Sequence, residues 1–365
     1  MVAAPQKIAI VTTSLAQGGA ERVAANLSFL FTAMGYSVQL ITINDAIAYE
    51  YAGELYNLGS QVRTKGWLRK IHKAILLKSY LTKHQFSWVI DNRTRPVFWK
   101  ELMYKWVYRN ARVIYLIHSF KLQNYLPNSP RLAHFLYPKN TPFVAVSQAI
   151  AQEVQRNYGF VKVQTIYNNL PNFSKSAANS TEGQPYILFF GRLDNRVKNF
   201  NLLLTAYKLS GLDKAGVPLK IMGDGPDLAV ISQQINQLNL ADFVQLLPFQ
   251  ANPVAVIQQA KFTVLSSQYE GFPMAIVESL ALGVPVVSVD CQSGPAELIQ
   301  SGENGLLVPN HQAQALADAL HELHTNSALY EKCKNNAQKS VEHLSLETIS
   351  AQWHKLLQAS YEKHD

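Results

Sequence analysis

Only two of the 365 residues are cysteines, Cys291 and Cys333, and they share no C-x-x-C spacing. A disulfide-stapled scaffold and a cysteine-ligated zinc site are both excluded, and a reducing compartment is expected. No apolar run reaches the roughly 18–20 residues that a membrane-spanning helix needs. The opening stretch MVAAPQKIAIVTTSL has no basic segment ahead of its apolar run, so it reads as a strand and not as a secretory signal. The full G-x-G-x-x-G fingerprint, the G-x-x-x-x-G-K-[ST] loop and a D-x-D metal motif are all missing. There is no short repeat and no low-complexity tract.

Acidic residues are scarce in one half. Residues 1–175 carry 21 Lys and Arg against 7 Asp and Glu, whereas 176–365 carry 12 against 18. Within 63–139 the count is 16 basic to 2 acidic, and four of the five tryptophans, Trp67, Trp88, Trp99 and Trp106, fall there. A basic, aromatic half beside an acidic half points to an anionic partner for the former. Three readings stay open: an anionic membrane surface, a solvated basic face over core aromatics, and a nucleic acid, for which no motif is present. In 96–113, Phe98, Met103, Trp106 and Val107 are expected near one helical face.

With 48% hydrophobic residues the chain can build real cores, and its length suits two domains at ~100–200 residues each. Strand and helix alternate. KIAIVTTSL (7–15) precedes a glycine turn and a helix over 20–35; YSVQLITI, SWVIDN, RVIYLIH and PFVAVS are further strands. PNFSKSAANSTEGQP (171–185) is the linker candidate. The alternation then restarts with YILFFG, PLKIMG, DFVQLLPF, FTVLSS and PVVSVD. The expected fold class is α/β, with two Rossmann-like βαβ domains of parallel strands, 1–175 and 186–345. Ligands bind outside the carboxyl ends of such strands, so a cleft between the domains is the expected site.

Several strand ends carry candidate residues. In QGGAER (17–22), Gly18 and Gly19 permit close backbone approach ahead of a helix N-terminus suited to an anion, or form a plain turn. In GRLDNRVKN (191–199), Arg192 and Lys198 can bring two cations to one diphosphate, or are solvated charges. Gly223 closes another strand in GDGP. Glu270 lies in a loop before a helix, where a carboxylate accepts from sugar hydroxyls or complements the helix dipole. Glu278 sits within that helix among apolar neighbours and can reach a ribose diol. The backbone N–H groups of Gly271, Phe272, Pro273, Met274 and Ala275 are read as opening the helix. His118 ends RVIYLIH, where a histidine can hydrogen-bond a substrate or fill a structural role.

In this order the motifs GGAERVAANL, GRLDNRVKN, EGFPMAIVESLALGVPVV and SGPAELIQSGENGLLVP resemble those of the retaining glycosyltransferases of family 4, which have the GT-B fold. The resemblance spans nearly the whole chain and is weakest across 45–140. It implies an N-terminal acceptor domain, a C-terminal nucleotide-sugar domain, and a last segment, 346–365, that crosses back to the N-terminal domain. It implies that Arg192 and Lys198 neutralise the donor diphosphate, that Glu270 contacts the sugar, and that Glu278 holds the ribose. His118 matches the family's cleft histidine, Gly18 and Gly19 face donor phosphates or acceptor, and Leu247 and Phe249 border the base. The implied reaction is a metal-independent, front-face transfer of a hexose-type sugar with retention, needing no cofactor. Family frequency points to a UDP-sugar donor and to a glycan or lipid-linked acceptor at the inner face of the cytoplasmic membrane, in surface polysaccharide or lipopolysaccharide synthesis. The alternatives are a GT-B-like sugar-nucleotide epimerase and a nucleic-acid binder using the basic half.

Overall fold

The computed structural model describes residues 5–16, 18–170 and 184–359. Residues 171–183 of the linker candidate, Gln17 of the glycine loop and the last positions from 360 lie outside the described residues. Two compact units result: one holds the residues up to Asn169 together with those from Leu346 onward, the other Leu170–Ser345.

The first unit is built on a seven-stranded sheet. Its strands are β1 (Lys7–Thr12), β2 (Ser37–Thr42), β3 (Glu54–Asn57), β4 (Trp88–Asp91), β5 (Val113–Ile117), β6 (Phe143–Ala145) and β7 (Val163–Thr165). The order is β3-β2-β1-β4-β5-β6-β7, and every pairing is parallel. β1, β4 and β5 are buried over almost their whole length, which explains why each reads as a continuous apolar run: helices cover both faces. Strand order reverses between β1 and β4, the point where doubly wound sheets open a crevice.

The helix Gly19–Ala33 follows β1 and buries Val23, Ala24, Leu27, Leu30 and Phe31, at the spacing of one helical face. On it packs the helix Leu346–Ala359, whose Trp353 meets Phe31 edge-on at 5.2 Å. Ile349, Leu356 and Leu357 are buried beside it.

Of the four residues expected near one face of the helix Phe98–Val107, Val107 is buried, and it shares the inward side with polar groups. Glu101, Tyr104 and Val107 are buried, while Trp106 is 46% exposed and Phe98 and Met103 are half-buried. The reason is ionic. Glu101 belongs to a buried network in which Arg93 forks onto Asp91, with Nε to Oδ1 at 3.0 Å and Nη2 to Oδ2 at 2.6 Å. The Arg93 guanidinium lies 3.7 Å from Glu101 and 3.3 Å above the Tyr104 ring. Tyr137 donates to Glu101 at 3.0 Å, and Arg95 donates to the Leu116 carbonyl at 3.0 Å. Burial pushes the Glu101 carboxyl above the usual range, against the pull of Arg93. Arg93, Arg95 and the buried Lys73 therefore hold the fold together rather than charging the surface, and Trp88 is core. The outer basic face is smaller than composition alone suggests.

The second unit repeats the plan with β8 (Tyr186–Phe190), β9 (Leu219–Met222), β10 (Val244–Leu247), β11 (Ala260–Leu265), β12 (Val286–Asp290) and β13 (Gly305–Pro309). The order is β10-β9-β8-β11-β12-β13, again all parallel, with its reversal between β8 and β11. Among the described residues no helix is long and apolar enough to cross a membrane.

Candidate active site

In the second unit the candidate residues gather where β8 and β11 end, at the reversal. Gly191 follows β8, and Asp194 caps the short turn Asn195–Lys198 by accepting from the Arg196 N–H at 3.2 Å. The Arg196 side chain, hydrogen-bonded to Asp194, holds that carboxyl below its usual range. The cap aims Lys198 at the loop after β11. There its ammonium donates to Glu270 Oε1 at 2.5 Å, and the Ser267 hydroxyl donates to the same oxygen at 2.6 Å. Among the described residues Glu270 Oε2 takes no hydrogen bond. Two further bonds stitch the strand ends: Ser266 Oγ to the Lys198 carbonyl at 2.8 Å and the Gln268 N–H to the Val197 carbonyl at 2.8 Å. Lys198 and Glu270 are thus a mostly buried pair fixed by backbone on both sides, with side chains 15% and 12% exposed. Arg192, beside them in sequence, is exposed.

Glycine explains how closely the strand ends approach. A Cβ on Gly223 would fall 1.9 Å from the Gly191 carbonyl oxygen, so no side chain fits there. The Gly223 N–H donates to the Leu247 carbonyl at 3.1 Å, which joins the ends of β9 and β10. Leu247 and Ala275 both pack on the core formed by Leu188, Phe190 and Met222, whereas Phe249 is 38% exposed beyond it.

The loop Glu270–Pro273 is braced from the end of β12. Ser293 Oγ donates to the Gly271 carbonyl at 2.7 Å, and the Glu270 N–H donates to the Gln292 carbonyl at 3.2 Å. Gly294 has φ of +98°, and a Cβ on it would lie 2.4 Å from Pro273 Cδ. The helix Met274–Ala281 starts there, capped by Pro273. Proline carries no N–H, so Pro273 cannot be one of the donors expected at this helix end. The backbone donors of the segment are Gly271, Phe272, Met274 and Ala275. Glu278, one turn further, is buried at 3% exposure, consistent with its apolar neighbours.

The first unit assembles its own set at the β1–β4 reversal. His118 follows β5, and its Nε2 lies 2.8 Å from Asn92 Oδ1 at the end of β4. Asn92 Nδ2 in turn donates to the Ala20 carbonyl at 2.8 Å and approaches Thr12 Oγ1 at 3.4 Å. With Asn92 Nδ2 spent on acceptors, its Oδ1 accepts, so His118 Nε2 carries the proton. Nδ1 is then an acceptor, and it is buried with no partner among the described residues. Burial, helped by the nearby Arg95 charge, pushes the His118 pKa down to about 3. Gly18 and Gly19 open the adjacent helix, and the Glu21 carboxylate folds over Gly18, where an added Cβ would sit 1.9 Å from Oε2.

Asn92 was missed by the sequence reading, although it ends a strand in the same way as His118. Ser267 was missed too, although it stands at the end of the run FTVLSS, three residues before Glu270.

Comparison with known proteins gives two matching family models, "Glycosyltransferase Family 4" over residues 17–169 and "Glycosyl transferases group 1" over 172–340. The N-acetylgalactosamine-N,N'-diacetylbacillosaminyl-diphospho-undecaprenol 4-alpha-N-acetylgalactosaminyltransferase of Campylobacter jejuni is 30% identical over 91% of this chain and 94% of its own length. The chain is a family-4 glycosyltransferase. The amylovoran biosynthesis glycosyltransferase of Erwinia amylovora is 23% identical over 93% of this chain and 96% of its own length. Among solved structures, Anabaena HepE with UDP and glucose has a TM-score of 0.78 at 19% identity, covering 97% of this chain and 100% of that one. A Staphylococcus aureus TarM variant solved with UDP has a TM-score of 0.80 at 16% identity, over 96% and 99% of the two chains. These likenesses fix the fold as GT-B. Within this glycosyltransferase Lys198, Glu270 and Gly223 converge in one unit, and His118 and the glycine loop in the other.

Proposed function

We propose that the protein transfers a hexose-type sugar from UDP to a glycan or lipid-linked acceptor in bacterial surface polysaccharide synthesis, retaining the anomeric configuration. The observation that carries this reading is the Lys198–Glu270 pair at the β8–β11 reversal. Lys198 spends one of its three N–H bonds on Glu270 and keeps two for phosphate oxygens. Together with Arg192 it neutralises the leaving diphosphate, the task a divalent metal performs in other enzymes, which supports a metal-independent reaction. Glu270 presents Oε2 to sugar hydroxyls. With Oε1 held by Lys198 and Ser267, Glu270 is set to bind the sugar, and a front-face course requires no attack from it. In that course the glycosidic C–O bond breaks as the acceptor oxygen attacks from the same side, and a diphosphate oxygen takes the acceptor's proton.

Glu278 serves the ribose, and the Leu247–Phe249 strand end borders the base. His118 offers its unprotonated Nδ1 to a sugar hydroxyl near the reacting carbon. The relatives favour this donor and acceptor class: the Campylobacter enzyme acts on a diphospho-undecaprenol carrier, and HepE and TarM were solved with UDP. Peripheral attachment to the inner membrane face is supported by the exposed stripe Trp67, Leu68, Ile71 and Ile75 on the helix Gly66–His84, flanked by Lys65 and Lys70. The test is transfer from UDP-sugars to a lipid-linked glycan extract, with the new anomeric proton read by NMR. An α product from an α-linked donor is expected. A β product would overturn retention, and conversion of the donor to its epimer without acceptor would overturn transfer.

A further inference from the structure

The candidate residues of the first unit occupy the carboxyl edge of its sheet. At the opposite edge, across the amino-terminal ends of β4 to β7, lies a cavity of about 1240 Å³. Trp88 and Val113 begin β4 and β5 there, Pro142 leads into β6, and Val161 into β7. Ligand pockets usually run ~300–1,000 Å³, so this one has room for a long apolar chain. Four cations stand on it, Lys105, Arg109, Arg112 and Lys162, and no carboxylate is among its lining residues.

Two wall residues carry buried polar atoms with no partner among the described residues: the indole N–H of Trp88 and the hydroxyl of Tyr108. Native proteins seldom leave such groups unpaired. Around the cavity the surface is apolar as well as cationic. Trp106 is 46% exposed with the Lys78 ammonium 3.9 Å above its ring, and Lys105 lies 4.4 Å over the ring of the exposed Phe135. The two ammonium groups rest on these rings and donate to the Trp106 and Phe135 carbonyls, and basic side chains laid along aromatic surface suit the boundary between an apolar chain and an anionic head. A strand of nucleic acid would need a charged track, whereas these cations surround apolar walls.

We propose that this cavity binds an anionic lipid, its apolar chain against Trp88, Val113 and Leu136 and its phosphate on Arg109 and Lys162. The site is separate from the donor residues and stands whether or not the UDP reading holds.

The test is isothermal titration of the full chain with dodecyl phosphate below its micellar concentration. Saturable one-to-one binding is expected, with dodecyl maltoside at least tenfold weaker and inorganic phosphate without measurable heat. The double variant Arg109→Glu, Lys162→Glu should weaken binding about tenfold or more, since each basic residue contributes appreciably toward an anionic lipid head. Thr141→Trp, which fills the mouth without altering charge, should do the same; both variants are checked by their melting temperatures. The control Lys214→Glu, Lys339→Glu, at exposed positions of the second unit, should stay within twofold of the parent. Equal binding of the two detergents would overturn the proposal. So would an equal loss in the control, or unchanged binding in folded Thr141→Trp. Displacement of dodecyl phosphate by a single-stranded oligonucleotide would assign the cavity to nucleic acid instead.

Discussion

His118 and Asn92 show how one residue's protonation depends on its neighbour. Asn92 fixes the tautomer, and burial keeps the ring neutral down to a pKa of about 3, against 6.5 for the free side chain. Between those values the unfolded chain binds a proton that the folded one does not. Stability therefore falls as pH drops through that window, by up to about 1.4 kcal/mol per unit from this group. His118→Gln should flatten that dependence, seen as a smaller change in urea midpoint between pH 7 and pH 5 than in the parent. An unaltered slope would place the titration elsewhere. Gly223 makes a steric case. Gly223→Ala drives a methyl into the Gly191 carbonyl and should cost ~3 kcal/mol, as overpacking of rigid backbone does, measured by denaturant unfolding. Residues of this kind were legible where chemistry sat alone at a strand end, as with His118, Lys198 and Glu270. Asn92 and Ser267 were not, because their significance lies in which partner they touch, and that is set by the fold.

At the level of elements, the central strands were legible because helices on both faces demand unbroken apolar runs. β3, β7 and β13 were not. β3 and β7 are short edge strands with exposed or polar positions, and β13 runs from a glycine to a proline. Such strands owe their place to pairing with a neighbour rather than to their own pattern. On the helix Phe98–Val107 periodicity groups Phe98, Met103, Trp106 and Val107, but it does not show that Glu101 and Tyr104 turn inward, because a buried contact with Arg93 sets that. The helix Leu346–Ala359 belongs to the first unit through Ile349, Trp353, Leu356 and Leu357. Burying such side chains stabilises by ~1.5–3 kcal/mol each, so together they rival a domain's whole stability. Truncation after Ser345 should destabilise the first unit and lower its thermal transition markedly. An unchanged melt would show that the helix contributes little.

Across the whole molecule, two doubly wound units divide the work by charge and by chemistry. The basic first unit carries His118, the lipid-sized cavity and the exposed aromatic helix. The acidic second unit places Arg192, Arg196 and Lys198 at the β8–β11 reversal, where Lys198 is paired and Arg192 exposed. We propose that this reversal holds a nucleoside diphosphate. It is tested most directly by thermal unfolding with UDP, with and without EDTA, in the parent and in Lys198→Ala. Nucleotide at about a hundred times its Kd should stabilise by roughly 2.7 kcal/mol and raise Tm by several degrees. The expected result is a rise that EDTA leaves unchanged and that Lys198→Ala abolishes while its unliganded protein remains folded. An equal rise in Lys198→Ala, or none in the parent with any nucleoside diphosphate, would contradict the account.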